Sequence, residues 1–353
     1  MEPEEARRLV ECCLPHLPRA GLRQLTGVSD VHVQRIATLW AGMGSVYKLT
    51  LVNREAPVSL IVKQVDLTGV SDSIGDQRKK RSYDVEAAFY SRGHAERLIA
   101  FGARVPFPLH IESVRDKSIT ICMTHLDGKS SHRGATEAFV GWLARLHAAY
   151  WGPRADEACG ASRGGLQEQG CYWHLDTRPE EHARLGASGW MGRLKLAARA
   201  IDLRLKADKM QSVCHGDAKG ANILYATGEG GVAVPLVYDF QYCGKAAVAK
   251  DLAYFFNVEG SPSEEARLLQ SYHAELSNLL VKQGDDPPSL DYLRSSLEIA
   301  LCDWRRFSEI GLGGYGDSTA NRRVQKLLDK LDNGKALASE QAYIDAMQRE
   351  FPA

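Results

Sequence analysis

The stretch Val213-Cys-His-Gly-Asp-Ala-Lys-Gly-Ala-Asn-Ile-Leu-Tyr225 constrains this chain more than any other part of it. It sets Asp217, Lys219 and Asn222 in a polar loop bounded by apolar, strand-forming residues. A second strand, Pro235 to Tyr238, runs into Asp239-Phe240-Gln241. The glycine-rich turn Ala226 to Gly231 joins the two strands. An acid, an amide and a second acid at adjacent strand ends can then converge on one point. Two ordinary polar turns are the plain alternative. The D-x-K-x-x-N spacing followed by a strand-terminal DFQ weighs against it.

Phosphoryl transfer from ATP needs that set of groups. One carboxylate orients the attacking hydroxyl and accepts its proton, while an amide oxygen and another carboxylate hold Mg²⁺ against the phosphates. The ligands are all oxygen, as magnesium prefers.

Charge and composition exclude several other classes. The chain has 353 residues, with 44 basic and 44 acidic side chains and no formal net charge. That balance argues against a nucleic-acid binder and against attraction to anionic membranes. At 44% hydrophobic and 25% charged it is an ordinary globular composition, long enough for two domains or one bilobal unit. The eight cysteines form no C-x-x-C pair, so zinc ribbons and thioredoxin-like chemistry are not expected. The acidic start, MEPEEARR, lacks an apolar signal-peptide core, and no run approaches the roughly 18 apolar residues of a spanning helix. A cytoplasmic protein with reduced thiols is the expectation.

Along the chain, strand patterns come first and helical patterns later. Residues 33–40, 45–52 and 58–65 read as strands separated by turns at Gly42–Gly44 and Asn53–Pro57. Residues 78–100 read as one helix, followed by strands at 107–114 and 117–124. Phe139, Leu143, Leu146 and Tyr150 then mark one buried helical stripe. Residues 152–170 read as a loop or insertion. Helices are expected over 189–208, 250–257, 262–282, 288–309, 319–333 and 337–349, with short strands near 222–225 and 234–239. The predicted fold class is α+β and two-lobed. Residues 1–123 form an N-lobe of antiparallel sheet plus one helix, 124–128 a hinge, and 129–353 a larger helical C-lobe carrying a catalytic β-hairpin. A ligand belongs in the cleft between such lobes.

The sequence His215-Gly-Asp217 with Asn222 and the downstream DFQ resembles the protein-kinase-like fold shared by aminoglycoside phosphotransferases, choline kinases and ecdysteroid-kinase-like proteins. Cys214 ahead of the HGD, and the run from Asp239 to Asp251-Leu-Ala-Tyr-Phe255, are most similar to the ecdysteroid-kinase-like branch. Leu143-Ala-Arg-Leu-His-Ala148 also resembles a helix of these small-molecule kinases. The likeness covers about residues 35–257. It implies that Asp217 is the catalytic base, that Asn222 and Asp239 are metal ligands, and that Asp251 is a structural acid under the catalytic loop. Many relatives carry a hydrophobic-aromatic or Leu-His pair after the HGD. Here Ala218-Lys219 is nearer the protein-kinase pattern, in which the lysine neutralises the transferring phosphate.

Lys63 is the sole cation in its apolar strand, and a charge buried there requires a partner. Glu86, on the following helix, is the best-placed carboxylate, and the pair would aim Lys63 at the donor phosphates. The plain reading is an edge lysine and an exposed glutamate. The turn Ala41-Gly42-Met43-Gly44-Ser45 lies where a phosphate-covering flap should be, and glycines let backbone N–H groups approach phosphate closely. Resemblance to kinase hinges places Met123, Thr124 and His125 at the adenine edge. His147 and His215 are read as structural histidines, not zinc ligands. The cluster Arg78-Lys79-Lys80-Arg81 opposes a helix dipole and is read as a solvated loop, with an anionic contact as the alternative. Trp151, Tyr172, Trp173 and Trp304 are either core or an aromatic acceptor pocket.

Together these readings predict an ATP- and Mg²⁺-dependent kinase acting on a hydroxyl of a small molecule. Its acceptor site is expected near 151–185 and 290–310, with no nucleic-acid partner and no membrane span. A nucleotide-binding pseudokinase or scaffold is the rival. A protein kinase is disfavoured because only twelve positions separate Asp239 from Asp251.

Overall fold

Alternating apolar side chains in the first third build an antiparallel sheet. The computed structural model describes the chain apart from residues 26, 40–41, 54–55 and 312–317. Helix α1 (Pro3–Cys13) comes first, then strands β1 (Asp30–Thr38), β2 (Gly44–Val52) and β3 (Val58–Asp66). Helices α2 (Ile74–Ser91) and α3 (His94–Ala100) precede β4 (Pro108–Val114) and β5 (Ser118–Thr124). The five strands lie in the order β1-β2-β3-β5-β4, each pair antiparallel. The first strand starts at Asp30 rather than Val33; Trp40 and Ala41, expected in that strand and the next turn, lie outside the described residues. So do Arg54 and Glu55 of the second turn.

Strand periodicity gives the sheet two different faces. Leu49, Leu51, Leu60, Val62 and Cys122 pack with Ala6, Leu9, Val10 and Cys13 of α1. The i, i+3, i+4, i+7 spacing of those four residues is what lets a single helix cover that face. On the other face Val65, Ile119, Ile121 and Met123 join the main core with Tyr83, Val85 and Phe89 of α2. Lys63 lies on this inner face of the central strand, opposite Val46 of β2 and Ile121 of β5.

The first 123 residues therefore carry more than the one helix expected. α1 backs the sheet, and the expected helix over 78–100 is two helices, separated at Gly93, whose φ is 79°. The reading of Arg78–Arg81 as a solvated loop is also corrected. Helix α2 is capped at Ser73, which accepts a hydrogen bond from Asp76 N–H, so the four cations lie within its first half. Arg81 donates to the carbonyls of Gly165 and Leu166, each at 3.0 Å, and Arg78 donates to that of Thr177. Lys79 lies 3.1 Å from Asp76, and Lys80 is paired with Asp116.

The remainder is mainly helical: α4 (Ala135–Ala149), α5 (Pro153–Ala158), α6 (Pro179–Ala183), α7 (Gly189–Lys206), α8 (Ala249–Val258), α9 (Glu265–Gln283), α10 (Leu290–Gly311), α11 (Ser318–Asp332) and α12 (Glu340–Glu350). Helix α5 interrupts what reads as loop over 152–170. Four short strands, β6 (Gln211–Cys214), β7 (Ile223–Thr227), β8 (Ala233–Val237) and β9 (Gly244–Ala247), form two antiparallel pairs, β6–β9 and β7–β8. The β7–β8 hairpin was expected; the four-residue strands β6 and β9 were not. The architecture is the two-lobed, protein-kinase-like α+β arrangement. No described helix is long and apolar enough to cross a membrane.

Candidate active site

The polar loop follows β6, and its shape is held from below by one buried acid. Asp251, near the start of α8, accepts the backbone N–H of His215 at 2.7 Å on Oδ2 and that of Gly216 at 2.9 Å on Oδ1. His147 of α4 adds a contact at 3.3 Å and is itself hydrogen-bonded to Tyr272 at 2.7 Å. Burial alone would raise the pKa of Asp251, but His147, His215 and the Gly216 N–H overcome it and hold the carboxyl below its usual value. His147, Cys214 and Asp251 offer ligand-type atoms within 4.8 Å of one another. These hydrogen bonds already account for the histidine and the acid, as does the contact of His215 with the Tyr238 carbonyl at 3.1 Å. Gly216 has no alternative residue. Its φ is 82°, and a Cβ would stand 2.3 Å from the Tyr242 carbonyl oxygen.

Above this support lies Asp217, only 4% exposed. Its Oδ2 receives Asn222 Nδ2 at 3.1 Å and Lys219 Nζ at 3.0 Å. Its Oδ1 accepts the hydroxyl of Tyr254 at 3.0 Å. Asn222 Nδ2 also donates to the Asp217 carbonyl at 2.9 Å, which fixes the amide so that its oxygen is turned away from Asp217. Burial works against the charge on Lys219, but Asp217 outweighs it, and the lysine pKa is raised.

Lys63 reaches this point from the sheet. It is 5% exposed, pairs with Glu86 of α2, and lies 3.5 Å from Asp239 Oδ1. Burial opposes its charge, yet Glu86 and Asp239 together hold its pKa above the usual lysine value. Asp239 follows β8 with a φ of 68°, a left-handed conformation that aspartate tolerates better than most residues. Asp239, Asn222 and Asp217 thus offer oxygen donors beside a fixed cation. That donor chemistry fits a hard divalent ion such as magnesium.

Other expected residues fall less simply. A Cβ on Gly44 would stand 2.0 Å from the Gln64 carbonyl oxygen, so this glycine is required by the close approach of β3. The Gly42 N–H donates to the Leu39 carbonyl at 3.1 Å. Ser45 lies in β2 opposite Gln64. Met123 points to the inner face of the sheet. The Thr124 N–H is committed to the Phe107 carbonyl at 3.0 Å, and its Oγ1 accepts Phe107 N–H at 2.9 Å. Of the backbone groups expected to pair with a base, the Thr124 N–H is therefore engaged within the sheet lobe, and His125 is the next residue along. Of the four aromatics, Trp173 and Trp304 are fully buried core, whereas Tyr172 is partly exposed with its hydroxyl 3.3 Å from that of Tyr254.

Tyr254 is the functional candidate that sequence reasoning passed over. It stands one turn after Asp251 on α8, so a single helix face supports the loop backbone and touches the carboxylate. The Asp-Leu-Ala-Tyr spacing is the signal that would have found it.

A profile of the phosphotransferase enzyme family matches residues 44–291. No curated protein sequence matches the chain significantly. Among solved structures, a microcompartment-associated aminopropanol kinase is similar at 13% identity over 97% of each chain, with a TM-score of 0.47. An aminoglycoside phosphotransferase in complex with GDP and kanamycin is similar at 10% identity over 91% of this chain and 97% of its own, with a TM-score of 0.49. A putative fructosamine-3-kinase from Haemophilus somnus is similar at 13% identity over 85% and 92%, with a TM-score of 0.46.

Proposed function

The chain belongs to the phosphotransferase enzyme family, and on that premise we propose that it transfers the γ-phosphate of ATP to a hydroxyl of a small molecule. The observation that carries the reading is the position of Lys63, paired with Glu86 on one side and 3.5 Å from Asp239 on the other. A cation from the sheet and an acid from the hairpin meet where donor phosphates would lie.

In this reading Asp217 orients the acceptor hydroxyl and takes its proton as the oxygen attacks the γ-phosphorus. The bond to the bridging oxygen breaks, and ADP leaves. Lys63 offsets charge on the donor phosphates, and Lys219 offsets charge on the transferring group. A magnesium ion held by Asn222 and Asp239 would neutralise part of the phosphate charge. Tyr254 fixes the carboxylate so that one oxygen faces the acceptor. Met123 and His125 border the nucleotide base, and Gly42, Gly44 and Ser45 its phosphates. Residues 124–128 serve as the junction between the sheet lobe, 1–123, and the helical lobe, 129–353.

A small acceptor is favoured over a peptide because the run from Asp239 to Asp251 is short and holds β9, which pairs with β6, and then the start of α8. All eight cysteines are free thiols, which suits a reducing compartment such as the cytoplasm. The test is incubation of the chain and of Asp217→Asn with γ-labelled ATP, magnesium and a metabolite extract, followed by mass spectrometry. The reading requires a phosphorylated product that depends on Asp217. Equal labelling by both proteins, or no nucleotide binding, overturns it.

A further inference from the structure

Beyond Asp217, the expected acceptor side is walled by residues from separate stretches of chain. The Tyr254 hydroxyl meets Asp217 at 3.0 Å, and the Tyr172 hydroxyl lies 3.3 Å from it. The Tyr172 ring stands edge-on to Phe307 with centroids 5.2 Å apart, and tilts over Tyr242 at 4.8 Å. The far end of this aromatic wall is cationic. The Arg178 guanidinium carbon lies 5.5 Å from the Phe307 centroid. Its Nε is shielded from solvent with no hydrogen-bond partner.

A second guanidinium stands beside it. Arg78, from α2, donates to the carbonyl of Thr177, the residue before Arg178. Burial and then the nearby Arg178 lower the Arg78 pKa, as expected where two like charges share a partly dry site. Among the described residues, Glu181 is the one carboxylate within salt-bridge distance of either guanidinium, 3.6 Å from Arg178. Two cations therefore face one acid.

The wall is anchored rather than loose. Arg306 donates to the Trp173 carbonyl at 3.0 Å and to Asp303 at 2.7 Å. Lys250 pairs with Asp303 at 2.7 Å and lies 4.2 Å from the centroid of the Trp173 ring. The segment bearing Tyr172 and Arg178 is thus tied to α8 and α10 through groups that are all nearly inaccessible.

We infer that the acceptor is a hydroxy compound with a flat or apolar body, lying along the half-buried rings of Tyr172 and Tyr242, which Phe307 backs from the core, and with a carboxylate or similar oxyanion held at Arg178 beside Arg78. The hydroxyl end and the anionic end are separated by the width of the Tyr172 and Phe307 rings. The half-buried guanidinium of Arg178, held by one loose contact to Glu181, recognises an oxyanion in a directed way. A polycationic or quaternary-amine acceptor would meet like charge at the same place. The inference rests on the phosphotransferase reading, since it takes Asp217 as the point where the hydroxyl sits.

The probes are para-hydroxymethylbenzoate, its amide, and para-aminomethylbenzyl alcohol, with affinity measured by calorimetry in Mg·ADP and turnover in Mg·ATP. The benzoate is expected to be preferred over the amide by about tenfold or more, the ratio that one charge-assisted hydrogen bond supplies, with the amine weakest. Arg178→Gln should erase the preference, and Arg178→Lys should retain much of it. Equal affinities, a preference for the amine, no saturable binding of the benzoate, or an intact preference in Arg178→Gln overturns the inference. Failure of the phosphotransferase reading shows separately, as absent Mg·ATP binding or ATP turnover indifferent to Asp217→Asn.

Discussion

The donor side and the acceptor side of the site are built by different means. Around Lys63, charges are closely paired: Glu86 and Asp239 flank the ammonium on a rigid central strand. On the other side, Asp217 is followed by tyrosines, a phenylalanine and two arginines drawn from α2, the 171–178 segment, α8 and α10. Ion pairs in a fixed frame suit a ligand that always carries several negative charges, such as a triphosphate. Aromatic faces and an underused guanidinium suit selection among small molecules by shape and one anionic group.

The comparison is broken most severely at the residues both sides share. Asp217→Asn removes the base that receives the acceptor proton and should lower kcat by about 10²–10⁴-fold. Asp239→Ala should abolish turnover as well, and in addition weaken magnesium-dependent nucleotide binding measured by calorimetry. Full activity with unchanged Mg·ATP affinity in Asp239→Ala would remove the metal assignment. On the donor side alone, Lys63→Ala should cost roughly 10²–10³-fold in turnover, as loss of one oriented charge at the transition state does. Glu86→Gln keeps the ammonium and only loosens it, so a milder defect is expected. Equal defects would mean that Glu86 does more than position the lysine.

The two sides also differ in how much of each could be read in the sequence. Asp217, Lys219 and Asn222 stand within six consecutive positions, and a polar triplet between strand residues has few plain explanations. Lys63 was marked by being the sole cation in an apolar strand, and its burial requires the acid that Glu86 supplies. The acceptor wall had no such marks. Tyr254 sits in an apolar helix, where an aromatic residue reads as core. Tyr172 and Trp173 lie in irregular chain, which has no period to tell the half-exposed ring from the buried one. The carbonyls that Arg81 and Arg78 bind are 84 and 99 residues away, so no local pattern could indicate them. The main fold division was legible from strand and helix periods. Helix α1, the break at Gly93 and the four-residue strands β6 and β9 were not, being too short or too dependent on what they pack against.

A pair of substitutions at Asp217 sharpens the contrast. Lys219→Met removes a cation from Asp217 Oδ2 and should lower kcat by about 10²-fold if it stabilises the transferring phosphate, with the KM for ATP nearly unchanged. Tyr254→Phe removes a neutral donor from Oδ1, and a hydrogen bond to a charged group is worth about 1.5–3 kcal/mol. Part of that loss is recovered by water, so a kcat about tenfold lower is expected, again with little change in KM for ATP. A larger effect for Tyr254→Phe than for Lys219→Met would mean that holding the base matters more than neutralising the phosphate.

The smallest effect vanishes at neutral pH and is read at the acceptor wall. His174 and His182 flank the Arg178 segment, and the Nδ1 atom of each is shielded from solvent without a hydrogen-bond partner. Burial, with Lys250 nearby, lowers the His174 pKa to about 3; burial, with Arg306 and Lys195 nearby, lowers that of His182 to about 4. Both stay neutral in the folded chain while an unfolded histidine charges near pH 6.5. Below that value the unfolded state binds more protons, so stability is fully present above about pH 6.5 and falls as pH drops toward the folded values. For His174 the slope approaches at most about 1.4 kcal/mol per pH unit. On the donor side Lys63 stays charged throughout this window, but burial raises the Glu86 pKa and lowers that of His125, so the acceptor wall is read from the His174 substitution and not from the wild type alone. Urea midpoints measured at pH 7 and pH 5 should therefore differ in the wild type and differ less in His174→Gln. Equal shifts of the midpoint in the wild type and in His174→Gln would show that His174 reaches solvent and that the acceptor wall is no drier than the rest of the surface.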